Sequence, residues 1–335
     1  MVFSPRRLPS RRAGPPALAT LAFALLGLAC SAERPDSPTG GRSTPPPDAT
    51  PTSADASPAA GLVALGERLF FDARLSGNDK LSCASCHDPT RAFSDGRRVS
   101  VGVSGRPLRR NAPGLFDLAA RAPYFWDGRA PTLEEQALGP LTDPDEMGQD
   151  LRGLEAELAS DAGYRALFAQ SFPGEGVSVF NVARALAAFE RTLVSRSSPY
   201  DRYLAGDASA LDGAARRGLS LFEGKAECST CHRGPALTDN QFHRVAFAGD
   251  DPGRAALGPG AGPRGGFKTP SLREVARTAP YFHDGSVASL EEVVEHYARG
   301  GDPRAGEARD VHPLELDEGE RRDLVAFLRA LSSGP

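Results

Sequence analysis

The sequence predicts a mainly α-helical chain of two small, similar domains with few or no strands. Three observations carry that expectation. A segment is written twice: residues 112–136 align without gaps on residues 269–293, with 12 of 25 positions identical. Apolar residues recur at helical spacing in the regular stretches. No run of alternating apolar and polar residues marks out a sheet.

The 335 residues suit about two domains, and 40% hydrophobic content is enough for folded cores. The first 29 residues read as an export signal. Arg6, Arg7, Arg11 and Arg12 precede an apolar run at 17–29 that is too short to span a bilayer comfortably. The run ends in Leu26-Gly27-Leu28-Ala29-Cys30, which resembles a bacterial lipoprotein cleavage box with Cys30 as the lipidated residue; simple secretion is the alternative. Residues 30–60 are rich in Pro, Ser and Thr and cannot bury enough apolar surface to offset chain entropy. They predict an extended, disordered linker. Residues 61–207 and 208–335 are the two expected domains. A formal net charge of -4, more acidic once four signal arginines are removed, gives nucleic-acid binding no electrostatic support.

Within the first domain, Gly66-Glu67-Arg68-Leu69-Phe70 is echoed in the second by Gly218-Leu219-Ser220-Leu221-Phe222. Residues 179–193 carry Val179, Val182, Ala183, Leu186, Phe189 and Leu193 at helical spacing. Residues 234–266 are rich in Gly and Pro and read as a long loop. Asp317 and Glu320 form a capping-box pattern ahead of Leu324, Val325, Leu328 and Leu331. That C-terminal helix is expected to pack on the helix holding Leu221 and Phe222.

Each half also carries a C-x-x-C-H pentapeptide, Cys83–His87 and Cys228–His232 in matching places. This is the attachment signal for haem c: two thiols add to the haem vinyl groups and the adjacent histidine reaches the iron. A four-thiolate zinc site is the weaker reading, because the pairs lie far apart in sequence and each has a trailing histidine that such a site does not need. Redox disulfides are weaker too, because no βαβ pattern surrounds either pair. Each helical domain is therefore expected to wrap a covalently bound haem.

With both motifs placed, the chain resembles the bacterial di-haem cytochrome c peroxidases and their MauG-type relatives. The carriers are the two haem motifs, "NAP" at 111–113, "APYFWDGRA" at 122–130, "EMG" at 146–148, "SPYDRYLAGD" at 198–207 and "TAPYFHDG" at 278–285. The resemblance spans residues 61–332. It implies that His87 and His232 are proximal iron ligands and that the first haem reacts with peroxide. It makes Glu146 the distal acid/base, Gln136 a residue of the same pocket, and Trp126 the conductor between haems. The second copy of the phrase has His283 where the first has Trp126. The resemblance also implies a calcium ion bridging the halves, held by Asn111 and the backbone carbonyls of Thr278 and Pro280. Oxygen-only ligands suit that ion.

Two positions depart from the peroxidase pattern. Members that need reductive activation carry a blocking histidine sixteen residues after the first motif; here that residue is Val103. The first iron is then expected to be open in the resting state. Methionine usually closes the second iron, but only Met1 and Met147 are present. The aligned residue is Tyr297, as in MauG-type enzymes, with adjacent His296 as the other candidate. The implied function is an exported peroxidase that reduces hydrogen peroxide with electrons from a cytochrome c or cupredoxin. The rivals are a MauG-type oxidase acting on a protein or organic substrate, and a plain electron carrier. The expected location is the periplasm of a Gram-negative bacterium, with membrane contact only through Cys30 and with a homodimer left open.

Overall fold

The computed structural model describes residues 58–334 apart from 248, 303 and 305–309. The export signal, Cys30 and the linker through residue 57 lie outside the described residues. The architecture is helical: α1 (Pro58–Phe70), α2 (Leu133–Thr142), α3 (Leu151–Ser160), α4 (Ala162–Ser171), α5 (Val179–Glu190), α6 (Pro199–Leu204), α7 (Gly213–Glu223), α8 (Leu290–Ala298) and α9 (Glu318–Arg329). Strands β1 (Phe242–His243) and β2 (Phe267–Lys268) form one short antiparallel pair. β1 lies inside the predicted long loop, which also holds a 3₁₀ turn at Arg254–Leu257. Among the described residues, no helix is long and apolar enough to cross a membrane.

The two echoes near Gly66 and Gly218 build the same helix crossing twice. A Cβ on Gly66 would sit 1.9 Å from the Ala185 carbonyl oxygen of α5, and one on Gly218 would sit 2.0 Å from that of Asp323 on α9. Only glycine lets these backbones approach so closely. The phenylalanine four residues on then meets an aromatic of the partner helix: Phe70 and Phe189 have centroids 5.2 Å apart, Phe222 and Phe327 5.1 Å. Each crossing is the middle of an apolar core, one running from Leu65 to Phe189 and the other from Phe222 to Leu331. The cap of α9 is the predicted reciprocal box: Asp317 Oδ1 accepts from Glu320 N at 2.9 Å and Glu320 Oε2 accepts from Asp317 N at 2.9 Å. Helix α5 stops at Glu190, short of the expected residue 193; Thr192 and Leu193 instead donate their N–H groups to Phe189 and Glu190 in a turn.

The duplicated phrase folds into duplicated local structure. Tyr124 N donates to Ala130 O at 2.7 Å, and Tyr281 N to Val287 O at 2.7 Å. Their hydroxyls reach back to Leu118 O at 2.9 Å and Val275 O at 3.1 Å. Both phrases hold a cis proline, at Pro123 and Pro280. Both end in a capped helix start: Thr132 accepts from Glu135 N at 3.1 Å and Ser289 from Glu292 N at 3.2 Å.

The copies then hydrogen-bond to each other. Asn111 N donates to His283 O at 2.8 Å, and Lys268 N donates to Trp126 O at 2.8 Å. Trp126 matches His283 in the gapless alignment, and Asn111 and Lys268 match one residue upstream of it. The same bond is therefore made twice, in opposite directions. This exchange joins the copies at Trp126 and His283, one of the positions where they differ.

Candidate haem sites

Each C-x-x-C-H motif folds as a tight 3₁₀ turn, Cys83–Ser85 in one half and Cys228–Thr230 in the other. His87 N donates to Cys83 O at 2.9 Å, and His232 N to Cys228 O at 2.9 Å, which closes the turn on the histidine. The imidazoles are oriented by carbonyls: Nδ1 lies 2.8 Å from Phe93 O in His87 and 3.1 Å from Leu237 O in His232. A carbonyl can only accept, so Nδ1 carries the hydrogen and Nε2 keeps its lone pair for a metal. Burial pushes both imidazoles below the usual histidine range, which keeps them neutral and able to ligate.

Beside each motif lies a cavity. The first, of about 580 Å³, has Cys83, Cys86 and His87 in its wall. The second, of about 280 Å³, has Cys228, Cys231 and His232. Two thiols, one oriented imidazole and a mainly apolar cavity meet the needs of a covalently bound haem in each half.

Glu146 and Gln136 line the first cavity with His87, as does Met147. Burial raises the Glu146 carboxyl above the ordinary glutamate range, Asp143 adds to the rise and Arg129 opposes it. The backbone holds Glu146 from two sides: its N–H donates to Asp143 O at 3.0 Å and its carbonyl accepts from Val103 N at 2.8 Å. Val103 is thus tied beside the acid by its main chain and offers the site no ligand atom.

Tyr297 lines the second cavity and His296 does not. His296 Nε2 lies 2.7 Å from Val245 O, and its ring stacks on Phe247 at 4.4 Å and 9°. Burial and the two motif thiols push the Tyr297 phenol well above its usual range, so it is neutral until a cation approaches. His283 also lines this cavity, stacked on Phe267 at 3.6 Å. Trp126 belongs to the walls of both cavities, with Nε1 donating to Asn111 O at 2.9 Å. Asn111 Nδ2 donates to the carbonyls of Arg97 and Arg98 at 3.0 and 3.3 Å, which leaves Oδ1 as its remaining polar atom. Thr278 lines the second cavity and places its hydroxyl 3.2 Å from Val275 O.

A family model described as di-haem cytochrome c peroxidase matches residues 60–209. Methylamine utilization protein MauG of Methylorubrum extorquens is 43% identical over 297 residues, covering 88% of this chain and 82% of the relative. The chain belongs to the di-haem cytochrome c peroxidase family. Cytochrome-c peroxidase IdrP2 of Denitromonas iodatirespirans is 35% identical over 308 residues, covering 82% of this chain and 83% of the relative. A solved MauG-like protein associated with microbial copper homeostasis superposes with a TM-score of 0.75 at 38% identity, covering 86% of this chain and 93% of that one. Membership of a di-haem family accounts for two motifs, two oriented histidines and two cavities in one chain.

The family frame leaves charged residues of the cavity walls that the sequence reading passed over, Glu190, Arg121 and Lys268 among them. Glu190 lines the first cavity, its Oε2 has no hydrogen-bond partner, and burial pushes its carboxyl up to about 8. Arg121 and Lys268 line both cavities. Nothing in local sequence marks them, because arginine and lysine are ordinarily surface residues. The one available signal was positional: Lys268 is the repeat partner of Asn111.

Proposed function

We propose that this chain is an exported peroxidase that reduces hydrogen peroxide to water with electrons from a small redox protein such as a cytochrome c or cupredoxin. The observation that carries the reading is the first cavity, where an oriented histidine shares walls with a carboxyl of raised pKa. Cys83, Cys86, Cys228 and Cys231 would carry the thioether links, and Nε2 of His87 and of His232 would hold the irons. When bound, the haems supply the redox chemistry, and the protein supplies orientation and proton handling. Peroxide takes up two electrons and two protons and leaves as two waters. Glu146 would take a proton from one peroxide oxygen and return it to the other, and Gln136 would orient the substrate. Val103 leaves the first site open, so peroxide reacts without prior reduction.

Trp126, in the wall of both cavities, carries electrons between the halves. Tyr297 closes the second site, since the Nε2 of His296 is already committed to Val245. A phenolate is a hard anionic donor that favours the oxidised metal. Asn111 Oδ1 and the carbonyls of Thr278 and Pro280 would hold a calcium ion, whose preference is for oxygen donors. The halves divide at residues 207 and 208. The signal at 1–29 sends the chain to the periplasm, with Cys30 as its lipid anchor.

Tyr297 and the 43% identity to a MauG protein favour a second reading, in which the oxidising equivalents modify a protein or organic substrate. Steady-state peroxide consumption with reduced cytochrome c as donor separates the two. Sustained turnover is expected. Negligible turnover with a long-lived oxidised state selects the second reading, and no reaction with peroxide overturns both.

A further inference from the structure

Lys268 and Arg121 are cations without an anion. Lys268 is 8% exposed and its Nζ donates to the carbonyl of Arg121. The Arg121 guanidinium donates to the carbonyls of Gly114 and Phe116, both at 3.0 Å. Neither forms an ion pair among the described residues. Asp117, whose charge Arg121 feels, pairs with Arg196 through Oδ1 at 2.6 Å, leaves its buried Oδ2 without a hydrogen-bond partner, and forms no ion pair with Arg121. Arg110, in the wall of the first cavity, shows the contrast: Asp127 at 2.6 Å and Asp251 at 2.9 Å neutralise it fully. Burial pushes Lys268 down to about 7, with the Arg121 charge adding to the effect, and pushes Arg121 down to about 10. A buried lysine beside a half-buried arginine is disfavoured unless an anion joins them.

Their position names the anion. A haem c is tethered by the vinyl edge of its macrocycle, and its two propionates leave from the opposite edge. The cysteines hold each vinyl edge in its own cavity, while Arg121, Lys268 and Trp126 stand in the wall common to both. That common wall contains no cysteine. A haem tethered by its cysteines in either cavity would turn its carboxylate-bearing edge away from them, and the common wall is where Arg121 and Lys268 could receive it.

We propose that Lys268 and Arg121 form one cationic clamp that binds propionate carboxylates of both haems and holds the two propionate edges against Trp126. The inference rests on the two-haem reading. It makes the clamp a shared control: one positive cluster beside both groups favours their reduced states together. It also explains why the repeat partner of Asn111 is a lysine, because the junction then offers a cation where exact duplication would offer a second amide.

The test uses the matured holoprotein with Lys268→Met, Arg121→Met and Lys268→Arg. Covalent haem is counted by pyridine haemochrome, and both midpoint potentials are read by spectroelectrochemistry. Each Met variant is expected to keep two haems per chain and to lower both midpoints, shifting each oxidised-to-reduced ratio by about tenfold or more, or about 59 mV for a one-electron couple. Lys268→Arg is expected to keep the wild-type potentials. Should one Met variant fail to mature, the other decides. Unchanged potentials, or movement of only one haem, overturn the clamp. Fewer than two haems on the wild-type chain defeats the two-haem reading instead.

Discussion

Glu146→Gln lowers kcat/KM for hydrogen peroxide by roughly 10²–10⁴-fold, the usual contribution of a positioned general acid–base. Glutamine keeps the size and polarity of the side chain and removes only its ability to take and return a proton. The wild-type rate has a matching pH dependence. Burial and Asp143 raise the Glu146 pKa, so the carboxyl stays protonated to higher pH than the ordinary glutamate value of about 4.3. The carboxylate is the form that accepts the peroxide proton. The rate therefore climbs as pH rises through this elevated value and levels off above it. In the variant that limb disappears, while haem content and both midpoint potentials stay put. Stopped-flow measurement of the first-site reaction across pH 4–9 checks this. A variant that retains the limb removes Glu146 from the proton path.

Trp126→Phe separates the two sites electronically without separating them in space. Phenylalanine fills most of the indole volume, but it resists one-electron oxidation and loses the Nε1 bond to Asn111 O at 2.9 Å. The backbone bond from Lys268 N to Trp126 O is unaffected by the side chain, so the junction survives. The first site is expected to react with one equivalent of peroxide at the wild-type rate. Electron delivery from the second site is expected to slow by orders of magnitude, and steady-state turnover with a redox-protein donor falls with it. Rapid-mixing spectroscopy at wavelengths that distinguish the two haems measures both steps in one experiment. Unchanged steady-state turnover takes Trp126 out of the electron path.

Much of this arrangement was legible in the sequence because it was written twice. The gapless repeat and paired C-x-x-C-H motifs predicted two like halves, and the structure supplies the reason for the smaller echoes. Gly66 and Gly218 recur because each lets a helix meet a partner backbone at a distance no Cβ allows. The α9 capping box was readable from Asp317 and Glu320 alone, since a cap is a local pattern. What stayed hidden was long-range. No local pattern shows that Asn111 reaches His283 while Lys268 reaches Trp126. Burial of Lys268 and Glu190 was equally invisible, because their residue types argue for the surface and only long-range packing encloses them. The choice between Tyr297 and His296 turned on which neighbour's side chain was already engaged. The preference proposed for Tyr297 rests on the contact of His296 Nε2 with the carbonyl of Val245, 51 residues away in sequence.

The central claim is that one chain holds two unlike haem sites, the first open above His87 and the second closed by Tyr297. An EPR and optical spectrum of the resting ferric holoprotein, followed by one equivalent of peroxide, tests it most directly. The account predicts a high-spin signal from the first site beside a low-spin signal with a phenolate ligand from the second, and an immediate reaction with peroxide without prior reduction. Two low-spin signals with nitrogen or sulfur axial ligands and no reaction with peroxide would contradict it.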